Sequence, residues 1–121
     1  MRQGEIWLVN LDPTIGAEIH KTRPCVILND DVIGGLPLKV IAPLTDLKAR
    51  YRDVPWMVCL EPDSSNGLTK PSVIDLFQVR CLSEARLVHK IGAITTKELA
   101  LAHKALKLVF GLERSHRFQP D

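Results

Sequence analysis

The sequence has few aromatic residues, no long apolar run and only three cysteines. Aromatic residues make up 5% of the chain while hydrophobic residues make up 45%, so the core is predicted to be mainly aliphatic. No stretch approaches the 18 or more apolar residues of a membrane helix, and no signal-peptide core follows Met1. These absences argue against a membrane protein and predict a cytoplasmic one.

The three cysteines, Cys25, Cys59 and Cys81, are odd in number and stand in apolar surroundings. This pattern favours reduced, buried thiols over a disulfide framework. Their spacing is not that of metal ligands either. The sequence therefore predicts no metal site and no cofactor.

A strong charge of one sign is also missing, because 16 basic residues are balanced by 14 acidic ones. A net charge of +2 argues against a protein that binds long duplexes by electrostatics alone. One basic segment nevertheless stands out, with Lys48, Arg50 and Arg52 around Tyr51. Such a segment can hold phosphates and stack one base, or it can be a solvated loop.

A chain of 121 residues predicts one domain, which we place at residues 1–112, with a polar tail at 113–121. Short apolar runs separated by turn residues predict a mainly β fold. The predicted strands are Glu5–Asn10, Cys25–Asn29, Lys39–Pro43, Trp56–Leu60, Ser72–Val79 and His89–Ala93. Short strands have to pair on most of their edges, which favours a small, curved antiparallel barrel.

The last part of the pattern predicts an α-helix. Thr95 and Glu98 form a capping box, and Gly111 is a C-terminal stop. Two apolar stripes run along the helix: Leu99, Ala102, Leu106 and Val109 on one face, and Leu101, Ala105, Leu108 and Leu112 on the next. The first is assigned to the barrel. The second implies another contact, such as a twin subunit, or belongs to one wide core-facing stripe.

The most informative segment runs from residue 4 to residue 30. A strand pattern is followed by a turn at Asp12 and Pro13, and then by Glu18, Lys21 and Arg23. Arginine suits phosphate binding because its rigid fork of N–H donors matches two phosphate oxygens and its charge does not titrate away. The loop therefore indicates phosphodiester chemistry.

This segment resembles the opening signature of the MazF/PemK family, toxins of bacterial toxin-antitoxin pairs. The matching residues are Gly4, Glu5, Ile6, Trp7, Val9, Leu11, Asp12, Pro13, Gly16, Glu18, Arg23, Pro24 and Val26. A looser later block matches at Ser72, Val73, Gln78, Arg80, Arg86 and Leu87. The resemblance spans residues 4–112 and implies a metal-independent endoribonuclease that cuts single-stranded RNA, leaving a cyclic phosphate and a 5′-hydroxyl.

The resemblance also implies a fold and partners. Members of the family have a partly open, SH3-like antiparallel β-barrel of the plasmid-maintenance-toxin type, with a C-terminal α-helix. They form homodimers, and single-stranded RNA, mostly messenger RNA, lies in a groove across the dimer. Their antitoxins place a disordered acidic segment in that groove, where it folds on binding.

Arg23 and Thr45 are the catalytic candidates that the resemblance supplies. A guanidinium stays charged near neutral pH, so Arg23 is assigned to electrostatic stabilisation of the phosphate rather than to proton transfer. Thr45 follows the strand Lys39–Pro43, and its hydroxyl can donate to a phosphate oxygen while orienting the 2′-hydroxyl. Its predicted role is positioning.

Four further residues are predicted to support the site or bind substrate. Glu18 can orient Arg23 or accept from a base, and Lys21 adds a cation in the same loop. His20 is a candidate proton carrier because histidine commonly has that role near neutral pH, although a histidine that some relatives carry is replaced here by Ala17. Gln78 can read a base edge through its paired donor and acceptor.

Two alternatives remain at this stage. A protein of the same fold can inhibit DNA gyrase instead of cutting RNA, because a fold does not fix a function. A catalytically inactive regulatory module is the other alternative. The presence of both Arg23 and Thr45 favours the nuclease.

Overall fold

A computed structural model describes residues 1–112, so the predicted tail at 113–121 lies outside the described residues. The strands are β1 Glu5–Asn10, β2 Thr22–Ile27, β3 Leu38–Asp46, β4 Met57–Leu60, β5 Ser72–Asp75, β6 Arg80–Ser83 and β7 Leu87–Ala93, and the helix α1 is Thr96–Phe110. Single turns of 3₁₀ helix are at Asp31–Ile33, Ala49–Tyr51, Leu76–Gln78 and Glu84–Arg86.

The strands form one antiparallel sheet in the order β4-β5-β3-β2-β1-β7, with β6 paired to β3. The long strand β3 makes this arrangement possible. Its first part, Leu38–Ile41, pairs with β6, and its last part, Leu44–Asp46, pairs with β5. The sheet does not close, which confirms the predicted mainly β, partly open antiparallel fold with a C-terminal helix.

The predicted strand Ser72–Val79 is interrupted in the structure. It ends at Asp75, whose carboxylate accepts a hydrogen bond from Phe77 N at 3.1 Å and caps the 3₁₀ turn Leu76–Gln78. A new strand, β6, then begins at Arg80. Apolar residues continue on both sides of Asp75 and Gln78, which is why β6 was not predicted from the sequence.

Two aliphatic cores hold the sheet in shape. The larger one lies between the sheet and α1 and includes Ile6, Val26, Leu44, Ala102 and Ala105. The smaller one lies around Val9, Cys25 and Ile41. Few large aromatic side chains take part, as the composition predicts.

Helix α1 has the predicted ends. Thr95 and Glu98 form a reciprocal capping box, and Gly111 is left-handed at φ 69°. Leu99, Leu106 and Val109 pack on the core with the buried Ala102, which confirms the first stripe. In the second stripe Leu101, Leu108 and Leu112 are exposed, whereas Ala105 is buried and belongs to the core.

The tip between β2 and β3 is held by a buried lysine. Lys39 Nζ donates to the carbonyl oxygens of Gly34, Leu36 and Leu38 and pairs with Glu84 at 3.1 Å. The ammonium is thus fully surrounded by acceptors, as a buried charge has to be. The pair joins the β2–β3 tip to the turn Glu84–Arg86.

Two other expectations have mixed outcomes. All three cysteines are free thiols, but Cys25 alone is buried and Cys59 and Cys81 are exposed, so the prediction of buried thiols is wrong for two of them. Both lie on strands at the margins of the sheet, β4 and β6, which leave one face to solvent. Within residues 1–112, no helix is long and apolar enough to cross a membrane.

Candidate active site

The register of β2 and β3, continued past its last pair, relates Arg23 to Thr45. The ladder pairs Ile27 with Ile41 and ends at Cys25 and Pro43. Continued by two residues, the same register places Arg23 opposite Thr45, and opposite residues of an antiparallel pair project to the same face. Pro24 and Pro43 have no N–H to donate at this end of the ladder, which is where the pairing ends.

A groove of about 490 Å³ lies at this end of β2 and β3. Its lining residues are Leu8, Lys21, Thr22, Arg23, Pro24, Leu44, Thr45, Asp46, Gly67, Leu68, Thr69, Lys70, Ser72 and Ile91. Three of these side chains are cationic and one is acidic. The groove therefore complements a polyanion and brings together both predicted catalytic residues.

The guanidinium of Arg23 is oriented by the backbone. Its Nε donates to the carbonyl oxygen of His20 at 2.9 Å, and the side chain is half-buried. Of the five N–H donors of a guanidinium, the four on the terminal nitrogens have no hydrogen-bond partner within residues 1–112. The fork is thus fixed at its base and has donors available for a ligand.

Thr45 is held by the ladder between β3 and β5, where it pairs with Val73. Its neighbour Asp46 forms an ion pair with Lys70, with 3.1 Å between Oδ2 and Nζ. Thr45 is half-buried, and Asp46 and Lys70 are exposed. Thr45, Asp46 and Lys70 all line the groove.

The opposite wall of the groove is a tightly ordered loop at residues 61–70. The buried Asn66 accepts hydrogen bonds from Asp63 N and Leu68 N and donates to Glu61 O. Gly67 has φ +68°, and a Cβ there would lie 2.0 Å from the carbonyl oxygen of Ile91. This wall can approach β7 only because residue 67 has no side chain.

The loop between β1 and β2 carries the other predicted residues. Lys21 lines the groove, with a left-handed backbone at φ 71°. Glu18 is exposed and accepts from Ile15 N at 2.6 Å; within residues 1–112 it forms no ion pair with Arg23. His20 is exposed and contributes its carbonyl oxygen to Arg23.

Gln78 contacts this loop rather than the groove. Its Oε1 accepts from Ile19 N at 2.7 Å, and its Nε2 donates to Ala17 O at 3.2 Å. Arg80 Nη2 donates to Ile19 O at 3.1 Å and to Gln78 Oε1 at 3.3 Å. Both acceptor positions of the Gln78 amide are therefore occupied by the protein itself.

The basic segment lies outside the groove lining. Arg50 packs over the ring of Tyr51, 5.1 Å from its centroid, and donates to its hydroxyl at 3.3 Å. Lys48, Arg50 and Arg52 are exposed. The segment begins at Lys48, two residues after Asp46, so it continues the chain from the end of the groove.

The sequence analysis did not assign roles to Asp46, Lys70 or Arg80. Lys70 and Asp46 meet only because β5 pairs with the end of β3, which brings residues far apart in the chain together. Arg80 was noted only as part of the later resemblance. The turn signal Asn66-Gly67 marks the ordered wall, but not its contact with β7.

The electrostatic setting of the groove is cationic. Behind it, burial raises the pKa of the Cys25 thiol to about 12, in spite of Arg80 and Arg23 nearby, so this thiol stays protonated.

Within residues 1–112, no group of three or more His, Cys, Asp or Glu side chains is placed to hold a metal ion.

Comparisons with known proteins show which family the chain resembles. Residues 2–110 match the family model of the PemK-like, MazF-like toxins of type II toxin-antitoxin systems. Endoribonuclease MazF9 of Mycobacterium tuberculosis is 32% identical over 114 residues, which cover 89% of this chain and 94% of that protein. Endoribonuclease MazF of Staphylococcus saprophyticus is 32% identical over 120 residues, which cover 97% and 98%.

The fold is also shared with solved structures. A mycobacterial endoribonuclease, solved in complex with its cognate antitoxin, superposes with a TM-score of 0.73 at 19% identity and covers 93% of this chain and 96% of its own. That identity establishes the fold alone. The match of the family model over nearly all described residues, together with the two relatives at 32% identity, shows that the chain belongs to the PemK-like, MazF-like toxin family of type II toxin-antitoxin systems.

Proposed function

We propose that the chain is an endoribonuclease toxin that cuts single-stranded RNA, messenger RNA above all, without a metal ion. The observation that carries this proposal is the presence of Arg23 and Thr45 in one groove lined by cations. Family membership and two relatives named as endoribonucleases support it. Because those relatives are endoribonucleases, the gyrase-inhibiting alternative is not favoured.

The reaction uses a nucleophile that RNA itself supplies. The 2′-oxygen forms a bond to the adjacent phosphorus while the bond from phosphorus to the 5′-oxygen breaks. The proton of the 2′-hydroxyl is removed, and the departing 5′-oxygen gains one. The products are a 2′,3′-cyclic phosphate and a 5′-hydroxyl, and negative charge builds up on the nonbridging oxygens in between.

Arg23 and Thr45 act on this charge. The available terminal N–H groups of Arg23 bind the nonbridging oxygens and remain cationic throughout. The Thr45 hydroxyl donates to the phosphate and orients the 2′-hydroxyl. His20, whose carbonyl oxygen accepts from Arg23 Nε, is the candidate proton carrier, and Lys21 holds a neighbouring phosphate.

Outside the groove, Lys48, Arg50, Tyr51 and Arg52 extend the binding surface for the RNA strand beyond Asp46. Glu18 and Gln78 support the site from the β1–β2 loop and the 3₁₀ turn before β6. In this proposal neither touches the reacting phosphate. The cytoplasm, where messenger RNA is translated, is the proposed location.

The proposed partners are a second copy of the chain and a cognate antitoxin. Leu101, Leu108 and Leu112 leave an apolar face exposed on α1, which supports a homodimer. A mycobacterial structural relative is solved with its antitoxin, which supports an antitoxin for this chain too. A disordered acidic segment of the antitoxin suits the cationic groove. Sedimentation of the purified protein measures whether it is a dimer, and sedimentation with an added acidic peptide tests antitoxin binding.

Incubation of the purified protein with mixed single-stranded RNA oligomers in EDTA tests the proposed activity. We expect cleavage, fragments with 5′-hydroxyl ends, and a loss of roughly 100-fold or more in rate for Arg23→Ala, the scale of losing one transition-state donor. Arg2→Ala, which removes an exposed arginine outside the groove, is the control. Absence of cleavage, or equal rates for Arg23→Ala and the wild type, contradicts the proposal.

A further inference from the structure

The β1–β2 loop is closed at its base but needs outside support near Arg23. At the base, Leu11 N donates to Lys21 O at 3.0 Å, and Lys21 N donates to Asp12 Oδ1 at 3.1 Å. Farther out, the bonds between Ile15 and Glu18 are local to the loop. Local turns alone do not fix the position of residues 17–20 relative to the sheet.

That support comes from two side chains around β6. Gln78 Oε1 binds the N–H of Ile19, and Arg80 Nη2 binds its carbonyl oxygen. Both peptide groups of Ile19 are thus held, and Gln78 Nε2 adds a third contact at Ala17 O. Arg80 also donates to Gln78 Oε1, which locks the amide in this orientation.

The held peptide groups adjoin the carbonyl that orients the catalytic arginine. His20 directly follows Ile19, and its carbonyl oxygen accepts the Nε–H of Arg23 at 2.9 Å. A displacement of Ile19 therefore moves the base of the guanidinium fork. Misplacement of a catalytic group by about 1 Å can lower a rate on the order of 100-fold.

Both supporting side chains are themselves well anchored. Asp75 caps the 3₁₀ turn Leu76–Gln78 through its bond to Phe77 N, which fixes the backbone of Gln78. Arg80 begins β6 and pairs with Ile41 in β3, the strand that also carries Thr45. The support of Arg23 is thus built on the same strand as its catalytic partner.

We propose that Gln78 and Arg80 are positioning residues, which hold Ile19 so that the His20 carbonyl fixes the guanidinium of Arg23. This inference rests on the proposed function for its effect on catalysis, but the positioning itself is a property of the free protein. It replaces reading of a base edge as the role of Gln78, because both acceptor positions of its amide are already occupied.

Nuclear magnetic resonance of the arginine Nε–H groups tests the positioning without RNA. In Gln78→Ala we expect the order parameter of Arg23 Nε to fall, while that of Arg86, which binds Asn10 O and Asp12 O at the base of the loop, stays unchanged. Gln78→Glu keeps the acceptor for Ile19 N and should keep Arg23 ordered. If Gln78→Ala does not fold, Arg80→Ala gives the same test. Unchanged order of Arg23 in the folded variant overturns the proposal.

Kinetics supply the second readout. We expect Gln78→Ala and Arg80→Ala to lower kcat by about 10- to 100-fold and to leave KM and the cleaved sequence unchanged. Arg2→Ala, which removes an exposed arginine outside the groove, should retain its kcat. A higher KM with an altered sequence preference would instead show that Gln78 reads a base and would overturn the proposal. Failure of the wild type to cleave RNA, with Arg23 still losing order in Gln78→Ala, would contradict the proposed function alone.

Discussion

The ammonium of Lys70 lies 3.1 Å from the carboxylate of Asp46, and both side chains line the groove that contains Arg23 and Thr45. The two side chains are 63% and 54% exposed. An ion pair this exposed contributes about 0–1 kcal/mol, so little opposes its separation. A phosphate entering the groove can therefore replace Asp46 as the partner of Lys70.

Asp46→Asn tests this exchange. We expect the variant to lower the KM for RNA by up to about fivefold at low salt, because about 1 kcal/mol of competition for Lys70 is removed, and the gain should shrink at high salt. Asp31→Asn is the control, since it weakens the exposed pair with Arg2 outside the groove. A higher KM for Asp46→Asn would show that Asp46 binds the substrate instead.

Thr45→Ala and Thr45→Ser separate the hydroxyl of this residue from its methyl group. We expect Thr45→Ala to lower kcat by roughly 10- to 100-fold through loss of one donor to the phosphate, and Thr45→Ser to stay within a few fold of the wild type. The backbone pairing with Val73 is the same in both variants. Single-turnover cleavage gives the comparison, and equal losses in the two would show that packing of the methyl group matters instead.

Gly67→Ala and Gly16→Ala compare two glycines with similar, positive φ angles. Gly67 has φ +68° and Gly16 has φ +59°, but a Cβ meets Ile91 O at 2.0 Å only at Gly67. We expect Gly16→Ala to lower the free energy of unfolding by about 1–2 kcal/mol through backbone strain, and Gly67→Ala to lower it by clearly more. Denaturant unfolding measures both. Equal losses would mean that the loop at residues 61–70 moves to accommodate the added methyl group.

The pKa of Glu5 predicts a loss of stability in acid. Burial acts to raise this pKa. Hydrogen bonds from Trp7 Nε1 and Arg2 N act to lower it, and so do the ammonium groups of Lys90 and Met1. The net effect is a pKa lowered from 4.5 to about 2. A lowered carboxylate pKa stabilises the fold above pH 4.5, and this contribution disappears as the pH falls towards 2.

Glu5→Gln isolates this contribution. We expect the variant to be less stable than the wild type by on the order of 1 kcal/mol at neutral pH, after allowance for solvent screening. The difference should shrink as the pH falls towards 2. Urea unfolding at a series of pH values gives the measurement, with the exposed Glu61→Gln as control. A difference that does not vary with pH would contradict the assignment.

Local signals in the sequence were enough for several elements. The strand Glu5–Asn10 has its predicted ends, and so does α1, because Thr95, Glu98 and Gly111 are chemically specific boundary residues. The turn at Leu76–Gln78 was missed because it depends on the hydrogen bond from Phe77 N to Asp75. The apolar residues on both sides of Asp75 are typical of one continuous strand. Patterns of burial alone do not reveal where one side chain bends the backbone.

The candidate site also contains some residues that were predicted from the sequence and others that were not. Arg23 and Thr45 were found because their residue types and spacing resemble a known pattern, and the structure places them in one groove. Lys70 joins Asp46 through the pairing of β3 with β5, and Arg80 reaches Ile19 through the corner after β5. Such contacts between distant segments depend on tertiary structure, which has no signature in a single sequence.

The shared register of β2 and β3 also limits how this chain can change in length. Side chains alternate between the two faces of a strand, so one residue inserted within Val26–Ile27 or Ile41–Leu44 would turn Arg23 or Thr45 to the wrong face. An insertion at residues 31–36, in the hairpin tip, leaves the alternation on both strands intact. The tip can therefore lengthen with Arg23 and Thr45 still on one face, whereas a one-residue insertion in either strand would place them on different faces.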